Sequence, residues 1–134
     1  MTTAYGVGAR RPLASARDVT VIIPVGAGHE QCWQRAKKSA EDNQAGDVVI
    51  LADLDGYGVC YARNEAIRRV QTALILPLDA DDYLFPGVVE RMVNAWIPGK
   101  VVYGGWRIDD IDFQAPPLGM LARKHICHAT YLFA

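Results

Sequence analysis

Three short apolar runs constrain the fold of this chain more than any other feature. They are "VTVIIPV" at Val19–Val25, "DVVILAD" at residues 47–53, and the run at residues 73–78 that precedes "DADD". Each has the length of a strand and lacks polar alternation, so both of its faces are expected to be buried. Segments with apolar residues at helical spacing lie between them. This alternation predicts an α/β fold, a mostly parallel sheet with helices on both faces.

Helices are predicted at residues 29–43, 59–71 and 86–96, and a fourth strand at residues 100–108. The second helix carries Arg63 within its apolar stripe. A guanidinium on an inward face needs an anionic partner, because an unpaired buried charge is very costly. Pro77 removes one ladder donor from the third strand, which places it at a strand end or a sheet edge.

Composition limits the classes of function. The chain has 134 residues and a net charge of −1, which fits one domain and gives no sign of nucleic-acid binding. Three scattered cysteines include no CxxC pair, so reduced thiols in a cytoplasmic protein are expected. No apolar stretch reaches the length of a transmembrane helix. Residues 1–18 are interpreted as a flexible leader, and residues 19–134 as the domain.

The third apolar run ends in three carboxylates, Asp79, Asp81 and Asp82. Ligands of parallel sheets bind at the carboxyl ends of the strands. Asp79 and Asp81 project to the same side if extended, and a divalent ion between them would relieve their repulsion while holding a nucleotide diphosphate. Arg63 would then contact the phosphates or pair with the carboxylates. The alternative is a turn before the next helix, and this is the better interpretation for Asp82 alone.

The order of "VTVIIPV", "VVILAD", "ARNEAI" and "LILPLDADDYLFPGVVERM" resembles the nucleotide-binding half of the inverting GT-A glycosyltransferases of family 2. The resemblance covers residues 19–106. It implies a GT-A, Rossmann-like fold. It also implies metal-dependent, inverting transfer of a sugar from a nucleotide-diphosphate sugar, with a UDP-sugar as the expected donor. The acceptor would be a hydroxyl of a saccharide or another molecule, and the metal Mn²⁺ or Mg²⁺.

The same resemblance assigns the nucleoside to the ends of the first two strands. Pro24 and Val25 match the loop beside the nucleoside, and Asp53, or else Asp55, matches the aspartate that contacts the base. Gly26 and Ala27 replace the Tyr-Asn that usually follows the first strand in this family.

The diphosphate and the metal are assigned to three further residues by the resemblance. Arg63 matches the arginine near the diphosphate, Asp79 the carboxylate near ribose and metal, and Asp81 the main metal ligand. The metal and Arg63 would stabilise the departing diphosphate while the acceptor hydroxyl attacks the anomeric carbon.

The second half of the family, which carries the acceptor contacts and the general base, is expected to be incomplete in this chain. No residue is therefore assigned as the base. Asp109, Asp110 and Asp112 come too early to match it and are interpreted as a solvated turn. We expect retained nucleotide binding, weak or absent transfer, and self-association into a homo-oligomer through exposed apolar surface.

Four other residues are weaker candidates for the site. His125 and His128 are three apart and would share a face of a helix as metal ligands, but unrelated histidines are the favoured interpretation. His29 is most simply a surface residue. Trp106 is a candidate for stacking, although a core position is favoured.

Two alternatives to the transferase stay open. One is a non-catalytic domain that binds a nucleotide sugar. The other is a phosphatase of the haloacid-dehalogenase type, which also places a DxD motif after an apolar strand. In this chain Asp82 and Tyr83 replace the usual Gly-Thr of that motif, and the motif follows two complete strand–helix units.

Overall fold

A parallel three-stranded sheet forms the centre of the computed structural model, which describes residues 14–114 and 131–133. In the spatial order β2-β1-β3, its strands are β1 (Val19–Val25), β2 (Asp47–Ala52) and β3 (Leu74–Pro77). The alternating helices are α1 (Trp33–Asp42), α2 (Val59–Ile67) and α3 (Val88–Ala95). The predicted α/β fold with a parallel sheet, consistent with GT-A, is confirmed.

Helices cover both faces of this sheet, as the apolar runs predict. The prediction of a fully buried strand is wrong for β2, an outer strand in which only Leu51 is buried. Every residue of β1 is buried, and its side chains alternate between two apolar clusters. One cluster joins Val21 and Ile23 to residues of α1 and α3. The other packs Ile22 against Ala62 and Ala66 of α2. Burying an aliphatic side chain of this size contributes about 1.5–3 kcal/mol, so the fully buried strand β1 makes a large contribution to the stability of the fold.

Pro77 is the last residue of β3, and β3 is an outer strand of the parallel sheet. Hydrogen bonding to β1 resumes at the next residue, where the Leu78 N–H donates to the Ile22 carbonyl at 2.9 Å. A proline without an amide proton fits this strand end, as predicted.

The helices are shorter than predicted. Helix α1 begins at Trp33 rather than at residue 29, because residues 26–32 form turns. Helix α2 ends at Ile67, beyond which the Val70 N–H donates to the Ile67 carbonyl in a tighter turn. Helix α3 begins at Val88 rather than at the proline, because Gly87 adopts a left-handed φ of 74° before it.

The single strand predicted at residues 100–108 is wrong. Gly104 and Gly105 interrupt it, and the two parts pair with different partners. These strands and their antiparallel partners are β4 (Val102–Tyr103), β5 (Trp106–Ile108), β6 (Ile111–Phe113) and β7 (Tyr131–Leu132). Strand β4 pairs with β7, and β5 pairs with β6.

Asp109 and Asp110 connect β5 to β6 as a two-residue hairpin turn. Both have positive φ, 49° and 65°. Two such residues form the turn that matches the twist of a hairpin, and aspartate tolerates this conformation better than most residues. The predicted turn is confirmed for Asp109 and Asp110 but wrong for Asp112, which lies in β6 and whose carboxylate accepts from Arg107 Nε at 2.6 Å.

Residues 14–18, which the sequence places in the leader, pack against the domain. Ala16–Asp18 form a short 3₁₀ helix capped by Ser15, and Ala16 is buried in the larger apolar cluster. Gly46 passes so close to this segment that a Cβ would lie 1.9 Å from the Arg17 carbonyl oxygen. Residues 1–13 lie outside the described part of the chain.

Among the described residues, the structure contains no helix with the length and apolar character needed to span a membrane.

Candidate functional site

The carboxyl ends of β1, β2 and β3 meet at one edge of the sheet, where the predicted site residues lie. Pro24 and Val25 are the last two residues of β1, and both are buried. The Asp53 N–H donates to the Val25 carbonyl at 2.8 Å, which joins the ends of β1 and β2. Asp79 follows β3 by two residues. The topology thus brings the predicted residues to one edge, as expected for a parallel sheet.

Asp53 is turned into its own loop. Its carboxylate accepts from the Tyr57 N–H at 2.9 Å and from the Gly58 N–H at 2.7 Å. Gly58 is the N-cap of α2, so the negative charge lies beside the positive end of that helix. Only 9% of Asp53 is exposed. These contacts explain the position of the loop, while a contact with a base remains a prediction. Asp55, the alternative, is exposed.

Arg63 has the anionic partner that its inward position requires. Its Nη2 donates to Asp79 Oδ1 at 2.6 Å, and the two side chains are 28% and 33% exposed. The pair links α2 to the end of β3. Arg63 Nε is buried without a hydrogen-bond partner among the described residues. A buried donor of this kind is costly to leave unpaired and is available to an anionic ligand.

Asp79, Asp81 and Asp82 form the acidic cluster. One carboxylate oxygen from each lies within 4.8 Å of the others. The Asp82 N–H donates to the Asp79 carbonyl at 3.0 Å, so a turn folds the three side chains together. Opposite donors on an octahedral Mg²⁺ are about 4.2 Å apart, and its preferred ligands are oxygens. The acidic cluster therefore offers the oxygen ligands that a hard divalent ion prefers, at separations of up to 4.8 Å that would have to close slightly around an ion.

Two polar side chains, one in α1 and one at its C-cap, anchor the chain just after the acidic cluster. Ser39 Oγ accepts from the Leu84 N–H at 3.0 Å. Asn43, which is buried, accepts from the Val89 N–H at 3.1 Å and donates to the Phe85 carbonyl at 3.1 Å. We did not predict these roles from sequence. The sequence contained a signal for these roles, because Ser39 and Asn43 fall at helical spacing on the same inward face as Ala36.

A cavity of about 270 Å³ borders the acidic cluster. Its lining is apolar on one side, where Leu78, Leu84 and Met92 contribute, and charged at Asp81, Asp82 and Arg107. Aromatic rings from this loop also meet cations. The Arg35 guanidinium lies 3.6 Å from the Tyr83 ring centre, and the Arg107 guanidinium lies 5.0 Å from that of Phe85. Such a cavity has room for a small polar molecule with an apolar face.

His29 approaches the acidic cluster from the loop after β1. Its Nε2 lies 3.7 Å from Asp81 Oδ2. The sequence suggested only an unremarkable surface position for this residue. The other histidines, His125 and His128, lie outside the described residues, and the side chain of Trp106 is likewise not described.

Comparison with known proteins gives a family match. The model of "Glycosyl transferase family 2" matches residues 16–127. The match covers most of the chain and includes all the site residues described above. Searches of curated proteins and of solved structures gave no match.

Proposed function

Because this chain belongs to glycosyl transferase family 2, and is a glycosyltransferase at the level of that family, we propose that it transfers a sugar from a nucleotide-diphosphate donor to an acceptor hydroxyl. We take the donor to be a UDP-sugar, the acceptor a saccharide or another hydroxyl compound, and the cofactor Mn²⁺ or Mg²⁺. Residues 19–134 form the proposed donor-binding domain. The family match favours this activity over the phosphatase alternative.

The observation that carries the proposal is the meeting of Arg63 with the acidic cluster at the carboxyl edge of the sheet. Asp79 and Asp81 together carry more negative charge than Arg63, which pairs with Asp79, can balance. A divalent ion bound by Asp79 and Asp81 would neutralise charge on the diphosphate as it leaves. The same edge of the sheet carries Pro24, Val25 and Asp53, which we propose contact the nucleoside.

The proposed reaction is a single displacement. The acceptor oxygen forms a bond to the anomeric carbon while the bond from that carbon to the diphosphate oxygen breaks. The bonding electrons leave with the diphosphate, and the configuration at the carbon inverts. Arg63 orients and stabilises the diphosphate through its donor nitrogens. The acceptor hydroxyl releases its proton to water, since none of the described residues is proposed as the general base. The cavity beside Asp81 is proposed to hold the sugar ring, with Tyr83 and Phe85 nearby.

Calorimetry with UDP and Mn²⁺ tests this proposal. The wild-type chain should bind UDP in the presence of Mn²⁺ and much more weakly in its absence. Asp81→Ala should reduce Mn²⁺-dependent affinity at least about 100-fold, since even outer-shell changes at metal sites cost roughly 10–100-fold. Its free energy of unfolding should change by less than about 0.5 kcal/mol, because Asp81 is 62% exposed.

Asp42→Ala is the matched control, because it removes a carboxylate that pairs with Lys38 on α1. It should leave UDP binding unchanged. Equal UDP affinity for wild type and Asp81→Ala would refute the assigned metal site. A separate assay of UDP release from UDP-sugars, with and without acceptors, distinguishes a transferase from a domain that only binds the donor.

A further inference from the structure

Strand β2 forms an open edge of the parallel sheet among the described residues. It is an outer strand in the order β2-β1-β3, and no strand of the described chain pairs with its far side. The other outer edge is paired, because Ile75 of β3 exchanges backbone hydrogen bonds with Phe133 at 2.6 and 3.0 Å. The chain thus covers the edge at β3 and leaves the edge at β2 open over residues 14–114 and 131–133.

The backbone groups at this open edge can be identified from the hydrogen bond that joins the ends of β1 and β2. The Asp53 N–H donates to the Val25 carbonyl, so the backbone groups of Asp53 face β1. Successive residues of a strand direct their backbone N–H and carbonyl groups to opposite sides. The backbone groups of the alternate residues Val48, Ile50 and Ala52 therefore face away from β1.

These outward groups lack most of the features that keep a sheet edge from pairing. Edge strands are commonly blocked by proline, by lysine or by a bulge. Residues 48–52 have the sequence VVILA, which contains neither proline nor charge. The Val48 N–H donates to Asp47 Oδ1 at 2.8 Å. Both backbone groups of Ile50, the Ala52 N–H and the Val48 carbonyl have no hydrogen-bond partner among the described residues, so they are available to another strand.

An apolar surface lies beside the open edge. Leu54 and Tyr57, in the loop after β2, are 86% and 67% exposed. The ring centres of Tyr57 and Tyr61 are 4.8 Å apart. On α2, Tyr61 lies about 160° around the helix from Arg63. Because Arg63 pairs with Asp79 beyond β3, Tyr61 lies on the flank of α2 nearer to β2. Exposed apolar side chains grouped in this way mark interaction surfaces.

We propose that the partner of this edge is β2 of a second copy of the chain, paired antiparallel about a twofold axis at Ile50. In this register, Ile50 of each copy donates to and accepts from Ile50 of the other, as in a hydrogen-bonded antiparallel pair. The Ala52 N–H of each copy donates to the Val48 carbonyl of the other. The two three-stranded sheets then form one continuous sheet.

Three properties of the edge favour a second copy over an unrelated strand. A twofold interface joins the same surface of both copies, and the antiparallel register at Ile50 makes this edge complementary to itself. The side chains opposed in that register are apolar: Val48 with Ala52, Val49 with Leu51, and Ile50 with itself. The net charge of −1 gives two copies little mutual repulsion. The inference goes beyond the proposed function and does not depend on it.

Sedimentation equilibrium of the whole chain measures the proposed dimer. The wild-type chain should show a reversible equilibrium between monomer and dimer. Ala52→Pro removes an N–H on the outward side of an edge strand, where proline is tolerated. It should raise the dissociation constant of the dimer at least about tenfold, because each copy loses a backbone hydrogen bond to the other. Ile97→Asp is the control, since it removes an exposed apolar side chain outside β2 and α2 and should leave the constant unchanged.

Amide hydrogen exchange measured by NMR tests the register. The Ile50 amide should exchange rapidly in dilute solution and become protected as the dimer forms. The Val49 amide faces β1 and should be protected in monomer and dimer alike. Tyr61→Glu places a charge on the apolar flank and should also weaken the dimer, which keeps the proposal testable if Ala52→Pro does not fold. Circular dichroism verifies the fold of each variant.

Three results would overturn the inference. A chain that stays monomeric with rapid exchange at Ile50 has no partner on this edge. Protection of Ile50 in the monomer would show that the same chain occupies the edge. A dimer with an unprotected Ile50 amide, or one that neither Ala52→Pro nor Tyr61→Glu weakens, would use another surface. None of these results bears on donor binding, which calorimetry with UDP measures separately.

Discussion

The loops after β2 and β3 begin alike, with an aspartate just beyond a strand of the parallel sheet, but they use that aspartate differently. In the first loop, Asp53 anchors its own chain by accepting from the amides of Tyr57 and Gly58. In the second loop, Ser39 of α1 and Asn43, the C-cap residue of α1, anchor the chain. The second loop can therefore present Asp81 to solvent and Asp79 to Arg63. A carboxylate is available to a ligand when other groups hold its loop in place.

Asp53→Ala should give the largest loss of stability. The change leaves two loop amides without their acceptor and removes a buried charge that they satisfy. We expect the free energy of unfolding to fall by about 1.5–3 kcal/mol, the range for hydrogen bonds to charged groups. Urea unfolding measures it. Asp53→Asn keeps one acceptor oxygen and should lose less. Unchanged stability of Asp53→Ala would show that the loop does not depend on this anchor.

Asn43→Ala should give the next-largest loss of stability, because it removes an anchor of the loop after β3. The Val89 N–H and the Phe85 carbonyl lose their partner, which should cost about 1–3 kcal/mol. Looser positioning of the acidic cluster should also weaken Mn²⁺ binding. Asn43→Asp is the matched variant, since it keeps the acceptor for Val89 and loses the donor to Phe85. If Asn43→Ala loses stability while metal affinity stays constant, anchoring and binding are independent.

The pairing of Arg63 with Asp79 should contribute less to the free energy of unfolding than either loop anchor. A double-mutant cycle of Arg63→Met and Asp79→Asn in urea unfolding should return a coupling of about 1 kcal/mol. This value lies at the top of the range for exposed ion pairs, because both side chains are mostly shielded from solvent. A coupling near zero would mean that the two groups do not stabilise each other without a ligand.

The pair of Arg107 and Asp112 in the β5–β6 hairpin should make the smallest contribution to stability, and this contribution should depend on pH. The hydrogen bond from Arg107 lowers the pKa of Asp112 below its ordinary value. A lowered pKa means that the ionised carboxylate stabilises the folded hairpin above the pKa of the unfolded chain. This contribution is lost as the pH falls through the folded pKa. A carboxyl NMR titration should show the shift, and Arg107→Met should return Asp112 to its ordinary range.

The sequence predicted the parts of the fold that local patterns determine. Continuous apolar runs identified the three parallel strands, and the inward Arg63 correctly required an anionic partner. The strand at residues 100–108 was wrong because pairing partners determine where a short strand ends, and these partners lie elsewhere in the chain. The helix starts were early because turns at residues 26–32 and at Gly87 replaced the first helical turns.

The candidate site was less accessible to prediction from sequence. The acidic cluster follows a recognisable strand, so its members could be named. The anchors Ser39 and Asn43 act on residues more than 40 positions away, and His29 meets Asp81 only through the packing of two loops. Such contacts depend on the tertiary arrangement of the sheet and α1, which no local spacing encodes.

A crystal structure of the chain grown with Mn²⁺ and UDP tests the central claim most directly. We expect an anomalous manganese peak beside Asp81, with diphosphate oxygens on its open side and the Arg63 guanidinium facing the same phosphates. Clear density for UDP with no manganese at that corner, or a complex in which all three carboxylates bond only to protein groups, would contradict it.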